Sequence, residues 1–215
     1  MNETGSLQSQ AYHTIKELIL SKSLDSSVLH SETRLAKELG ISRTPLREAL
    51  QCLSQDGYIT IMPSRGFKIR SLNKETMTES IEARCAIEGF CVHLFASCEE
   101  ESRRQKLLED MKESLNRQKV ALTSNSFPES FTEADHQFHM SLVHFARNNE
   151  FNHLFQRLLY TIHLTTYGAL TITGRAETTY EEHCQIYQLL IDGDTDQAYQ
   201  ALIRHLMMPL KMNLI

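Results

Sequence analysis

Residues Leu35 to Leu53 read LAKELGISRTPLREALQCL, two short helical patterns separated by a tight break. In the first, Leu35, Ala36 and Leu39 form one apolar stripe; in the second, Leu46, Ala49, Leu50 and Leu53 recur at i, i+3, i+4 and i+7. Gly40 between them can take positive φ. Ser42 or Thr44 is placed to cap the second helix, and Pro45 falls in its first turn, where a missing N–H costs nothing. The stretch predicts a helix-turn-helix. The other face of its second helix is polar: Ser42, Arg43, Thr44, Arg47 and Gln51, with Arg43, Arg47 and Gln51 one turn apart. Arginine forks pair with guanine O6 and N7 in the major groove, and hydroxyls near a helix N-terminus suit phosphate oxygens. An ordinary solvated helix face would carry the same residues, and it is the turn before and the hairpin after that favour a DNA-reading face.

That hairpin is Tyr58 to Arg70, YITIMPSRGFKIR. Tyr58 to Ile61 are strand formers, Pro63 to Gly66 make a turn, and Phe67 to Arg70 alternate apolar with basic. A hairpin directly after a helix-turn-helix reads as a wing, with Arg65 and Gly66 at a tip that can reach the sugar-phosphate backbone or the minor groove.

The run SETRLAKELGISRTPLREAL followed by LSQDGYITIMPSRGFKI resembles the winged helix-turn-helix of the GntR family of bacterial transcription regulators, over about the first third of the chain. The resemblance implies operator contacts from Arg43, Thr44 and Arg47 on the recognition helix and from Arg65 and Gly66 on the wing, with Arg34 and Ser42 beside them. One position departs from the pattern. Many relatives carry arginine where this chain has Thr33, followed here by Arg34, so a relative's operator cannot be borrowed.

The chain has 215 residues and a formal net charge of −5. Residues 1–72 carry 9 Lys+Arg against 7 Asp+Glu, and residues 73–215 carry 13 against 20, so the positive end is the DNA-reading end. So weakly basic a segment cannot rely on bulk attraction, and affinity should come from a few placed contacts doubled in a homodimer. No apolar run is long enough to span a membrane and the N-terminus lacks a signal layout, which predicts a soluble, cytoplasmic protein. Cys52, Cys85, Cys91, Cys98 and Cys184 form no CxxC pair and read as small core hydrophobes.

The first ten residues are polar and are expected to fray; Ala11 to Ser21 reads as a first helix and Leu24 to His30 as a loop. Asn73 is the expected cap where the second domain begins. From Lys74 onward the period stays helical, in six segments at about 74 to 97, 100 to 122, 128 to 147, 150 to 167, 177 to 192 and 195 to 211. The fold class is mainly α: an N-terminal winged helix-turn-helix over residues 1–72, then an all-α six-helix bundle over 73–215 large enough to enclose a pocket.

Within the bundle, Asp135 and His139 are i and i+4 on one helix, while His183 and His205 lie on the last two helices, which run antiparallel across Gly193-Asp194. Three imidazoles and one carboxylate suit a divalent transition metal with positions left for water or a ligand. Spacing alone leaves open whether inward histidines hold a metal or are satisfied by hydrogen bonds. The other histidines read as ordinary surface or partly buried residues.

The patterns ADHQFHMSLVHFARNNEF and EEHCQIYQLLIDGDTDQAYQALIRHL are similar to the FCD effector domain found behind GntR-type winged helices. The resemblance implies that Asp135, His139, His183 and His205 bind a metal, zinc or nickel, and the six-helix count fits the shorter VanR-like branch. It also implies that Arg84, in RCAIEGF, lines a pocket for a small organic acid; a salt bridge to Glu88 one turn later is the alternative reading. Asn148 reads as a helix end. The implied function is a dimeric, ligand-responsive regulator of double-stranded DNA, a repressor. Two other readings are a metal-dependent hydrolase or lyase with an accessory DNA-binding domain and a direct metal sensor. Against the first, His136 and Glu182 adjoin ligands in sequence and are expected to point to other helix faces, leaving no general base.

Overall fold

The computed structural model describes residues 6–21, 23–71 and 73–212. The chain divides into two compact units, Met1–Leu72 with Gln156–Tyr160, and Asn73–Phe155 with Thr161–Ile215.

The first unit runs α1 (Leu7–Leu20), β1 (Leu29–His30), α2 (Glu32–Leu39), α3 (Arg43–Gln55), β2 (Ile59–Met62) and β3 (Gly66–Ile69). The stripe Leu46, Ala49, Leu50 and Leu53 is fully buried, and α3 packs it against α1, α2 and β2. Gly40 ends α2 in the left-handed conformation at φ 66, and Ser42 is the N-cap of α3 without a side-chain capping bond. The α1 helix starts at Leu7, earlier than the expected Ala11. Ser6 accepts a bond from the Ser9 N–H, and a cap of this kind lets the polar residues from Gln8 to Gln10 propagate helix instead of fraying.

The expected loop before α2 contains a strand. Leu29 and His30 pair antiparallel with Lys68 and Phe67, giving a sheet of order β1-β3-β2. Two residues are too few to show alternation, so β3, already paired with β2 from Ile59↔Ile69 to Met62↔Gly66, decides the matter by offering a free edge. The His30 ring stacks on Phe67 at 5.2 Å.

The second unit contains α4 (Lys74–Ala96), α5 (Glu101–Ala121), α6 (Glu129–Phe145), α7 (Asn149–Leu170), α8 (Arg175–Ile191), α9 (Thr195–Leu206) and the short α10 (Met208–Lys211). Asn73 and Thr76 form a reciprocal capping box at the start of α4, and Asn148 caps α7 by accepting from Glu150 and Phe151 N–H. The last predicted helix is broken at Met207, because Pro209 offers no N–H to continue the ladder. Val92, Phe95, Met111, Phe138, Leu142, Ile186, Leu190 and Leu202 fill the core between α4, α5, α6, α8 and α9.

Gly66 has an internal reason to be glycine: its φ is 121, and a Cβ there would lie 2.0 Å from the His30 carbonyl oxygen. Gly40 has positive φ but nothing within 4 Å of its Cβ position. Gly40→Ala should therefore cost only the left-handed penalty of about 1–2 kcal/mol, whereas Gly66→Ala should cost more by forcing β1 off β3. Urea unfolding of the two variants checks the order; equal losses would contradict it.

Candidate metal centre

Each of the four candidate ligands sits on the buried stripe of its helix. Asp135 and His139 interrupt the series Phe131, Phe138, Leu142 on α6; His183 lies between Thr179 and Ile186 on α8; and His205 lies beside Leu202 and Leu206 on α9. Packing the apolar neighbours carries the polar side chains inward. All four are buried, and one ligand atom from each lies within 4.8 Å of the others. The Nε2 atoms of His183 and His205 are 3.0 Å apart, those of His205 and His139 3.3 Å, and His183 Nε2 lies 3.7 Å from Asp135 Oδ1. Phe138 stacks on His183 at 4.4 Å and fixes that ring from below the cluster.

The far nitrogens decide what the near ones can do. His139 Nδ1 lies 2.6 Å from Glu88 Oε2, His205 Nδ1 2.7 Å from Glu182 Oε2, and His183 Nδ1 2.8 Å from Gln118 Oε1. Gln118 is oriented by its own amide, which donates to the Ala134 carbonyl. Glu88 accepts from Arg84 Nε at 2.8 Å, and Glu182 accepts two 2.7 Å bonds from Arg175. A buried guanidinium favours an ionised acceptor, so both carboxylates are placed to take hydrogen from the imidazoles. The Nδ1 atoms must then carry the protons, which turns three Nε2 lone pairs toward one point. Lone pairs at 3.0 and 3.3 Å repel unless a cation stands among them. The donor set of three neutral imidazoles and a carboxylate fits a divalent transition metal.

The electrostatics agree. Burial lowers His139 and His183 well below the ordinary histidine value, which keeps them neutral donors. Burial also raises Asp135, a cost that a bound cation would reverse. Glu88 is pushed up by burial and pulled back by Arg84. At Glu182 burial is outweighed by hydrogen bonds from His205 and Arg175, which bring it to about 2.

Beside the cluster lies a cavity of about 30 Å³ lined by Arg84, Asp135, Thr166, Arg175 and His205 among others. At about 10–15 Å³ per water it has room for roughly two, the size of a carboxylate head. Arg84 pairs with Glu88, the alternative reading, and it also lines the cavity.

Comparison with known proteins follows the same division of the chain. The family of bacterial regulatory proteins, gntR, matches residues 7–69, and the FCD domain matches residues 79–207. The chain belongs to the FCD-type GntR regulators. It is a DNA-binding transcription regulator. It is 27% identical to the uncharacterized HTH-type transcriptional regulator YdhC of Bacillus subtilis (strain 168) over 91% of this chain and 86% of that one. It is 25% identical to the HTH-type transcriptional repressor RspR of Escherichia coli (strain K12) over 96% and 88%. A GntR regulator from Rhodococcus sp. RHA1 shares the fold, with a TM-score of 0.73 at 20% identity over 96% of this chain and 97% of that one.

In the GntR unit, Ser42, Arg43, Thr44, Arg47 and Arg65 are exposed, whereas Gly66 is buried against β1. Arg47 Nε is held by Glu32 at 2.8 Å and the exposed Arg34 by Glu38 at 2.7 Å. In the FCD domain, Glu182 corrects an expectation. It adjoins His183 in sequence yet reaches His205 on the next helix, because α8 and α9 pack closely enough for its longer side chain to cross. Gln118 and Arg175 carried no sequence signal, and Glu88 showed only as a partner for Arg84. Mass spectrometry of the purified protein is expected to find about one divalent ion per chain, lost in His183→Ala. A wild type that stays metal-free after incubation with zinc or nickel would refute the metal centre.

Proposed function

We propose that this regulator is a homodimeric, cytoplasmic repressor whose FCD domain binds zinc or nickel together with a small organic acid, and that their occupancy changes operator affinity. Residues 1–72 act as the DNA-binding domain and 73–215 as the metal-binding, effector-binding and dimerising domain. The observation that carries the reading is the convergence of three Nε2 lone pairs and Asp135 beside a cavity that Arg84 lines. Charge supports an anionic effector. Asp135, Glu88 and Glu182 set against Arg84 and Arg175 leave one net negative charge, and a divalent cation turns this to one positive, matched to a single carboxylate. The repressor assignment is supported by likeness to RspR, which is named a repressor.

Catalysis is not part of the proposal. Both oxygens of Glu182, the acid closest to serving as a base, are taken by Arg175 and His205. Among the described residues no helix is long and apolar enough to cross a membrane, in keeping with a cytoplasmic regulator.

Duplexes selected from a random pool by the wild-type protein provide the operator for the test. Arg43→Ala and Arg47→Ala should each weaken specific binding about tenfold or more while leaving helix content and metal content unchanged. Unchanged binding by both would refute the recognition helix. Binding to the selected duplex should also differ between metal-depleted protein, zinc-loaded protein, and zinc-loaded protein with a screened carboxylate. A full response to zinc alone would favour direct metal sensing and sink the organic-acid effector.

A further inference from the structure

Two Arg–Glu–His chains reach the metal centre, and they differ in one respect. In Arg175–Glu182–His205 the pairing is bidentate: Nη1 and Nη2 both bind Glu182 at 2.7 Å. In Arg84–Glu88–His139 it is single. Arg84 Nε binds Glu88 Oε1 at 2.8 Å and Glu88 Oε2 binds His139 Nδ1 at 2.6 Å, but Arg84 Nη2 is buried without a hydrogen-bond partner. The Arg84 residue is 5% exposed and lines the 30 Å³ cavity, so a guanidinium nitrogen without a hydrogen-bond partner lies buried beside it. A buried donor left unpaired is costly, and a carboxylate in the cavity would relieve that cost.

We propose that Glu88 is a positioning residue that couples anion binding at Arg84 to metal binding at His139, so that each tightens the other; this rests on the metal and organic-acid reading above. The Glu88 carboxylate divides its charge between a guanidinium on one oxygen and an imidazole N–H on the other. When Arg84 turns part of its charge to an incoming anion, Glu88 acts more fully on His139 Nδ1–H. A stronger acceptor at Nδ1 makes Nε2 a better donor to a cation. Linkage makes the effect reciprocal: metal binding draws on Glu88 and leaves Arg84 freer for the anion. The Glu182 chain is less able to act this way, because Arg175 grips both oxygens of Glu182 in a bidentate pair and must break two bonds to turn its charge toward an anion.

The test uses the full chain, zinc and acetate. Zinc affinity is measured by competition with a coloured chelator, without acetate and at saturating acetate, and the ratio of the two affinities is the coupling factor. For the wild type it should exceed about fivefold. Glu88→Gln and Glu182→Gln should both lower zinc affinity without acetate, by about 10–100-fold. Only Glu88→Gln should collapse the coupling factor toward one, with Glu182→Gln keeping it within about twofold of wild type. A role confined to holding the fold or the rings would lower affinity in both and leave coupling alike, which would overturn the proposal. So would a wild type whose zinc affinity ignores acetate. Should Glu88→Gln lose its helical circular dichroism, Arg84→Lys takes its place: it keeps a cation for Glu88 and removes the free N–H. Its coupling factor is expected to collapse in the same way, and an unchanged one overturns the proposal. A wild type that binds no zinc at all would instead refute the metal reading on which the proposal stands.

Discussion

Three imidazole lone pairs that meet at 3.0 to 3.3 Å form the constraint on which the FCD domain is built. Neutral histidine can turn one nitrogen inward only if the other has somewhere to place its proton. Glu88, Gln118 and Glu182 supply those places from α4, α5 and α8. The cluster thus draws on helices that lie far apart in sequence, and the core must hold them within tenths of an ångström for the lone pairs to converge. Phe138, packed flat on His183 while itself part of the apolar core, shows how tightly the two tasks are joined.

Burying so much charge is unfavourable by itself. Asp135, Glu88 and Arg84 would all be more stable in water, and the upward displacement of both acids by burial expresses that cost. The domain offsets it in two ways. The apolar core that Phe138 joins to the cluster, with Phe95, Met111, Leu142 and Leu202 among its members, supplies cohesion that does not depend on the ion. The polar groups are joined end to end, with Arg84 paired to Glu88 and Arg175 to Glu182. Binding a cation then completes a network already shaped for it.

Much of this was legible in the sequence. Asp135 and His139 share a helix face by spacing, and histidines on two antiparallel helices can meet, so the members of the cluster could be named from periodicity and resemblance together. Their supports could not. Gln118 is one glutamine in a helix rich in polar residues, and Arg175 and Glu182 share a helix face at i and i+7 but lie two turns apart, farther than the i, i+3 and i, i+4 pairs that spacing reads as ion pairs. Glu88 was visible as a partner for Arg84 but its second oxygen was not, because a salt bridge at i and i+4 says nothing of what lies across the core. The short strand β1 was hidden for a related reason: two residues have no period, and only the edge of β3 makes them a strand.

The GntR unit solves a different problem with the same residue types. Arg47 and Glu32 also form an ion pair at 2.8 Å, yet the arginine is 68% exposed and water competes for both partners. Such a pair holds a side chain loosely and can be exchanged for another partner, whereas Arg84 at 5% exposure cannot leave Glu88 without stranding a buried carboxylate. Burial therefore sets what each arginine is for. An exposed arginine can release its acid for another partner, because the cost of separation is small in water. A buried one must keep its acid, and can respond to a ligand only by redistributing its bonds.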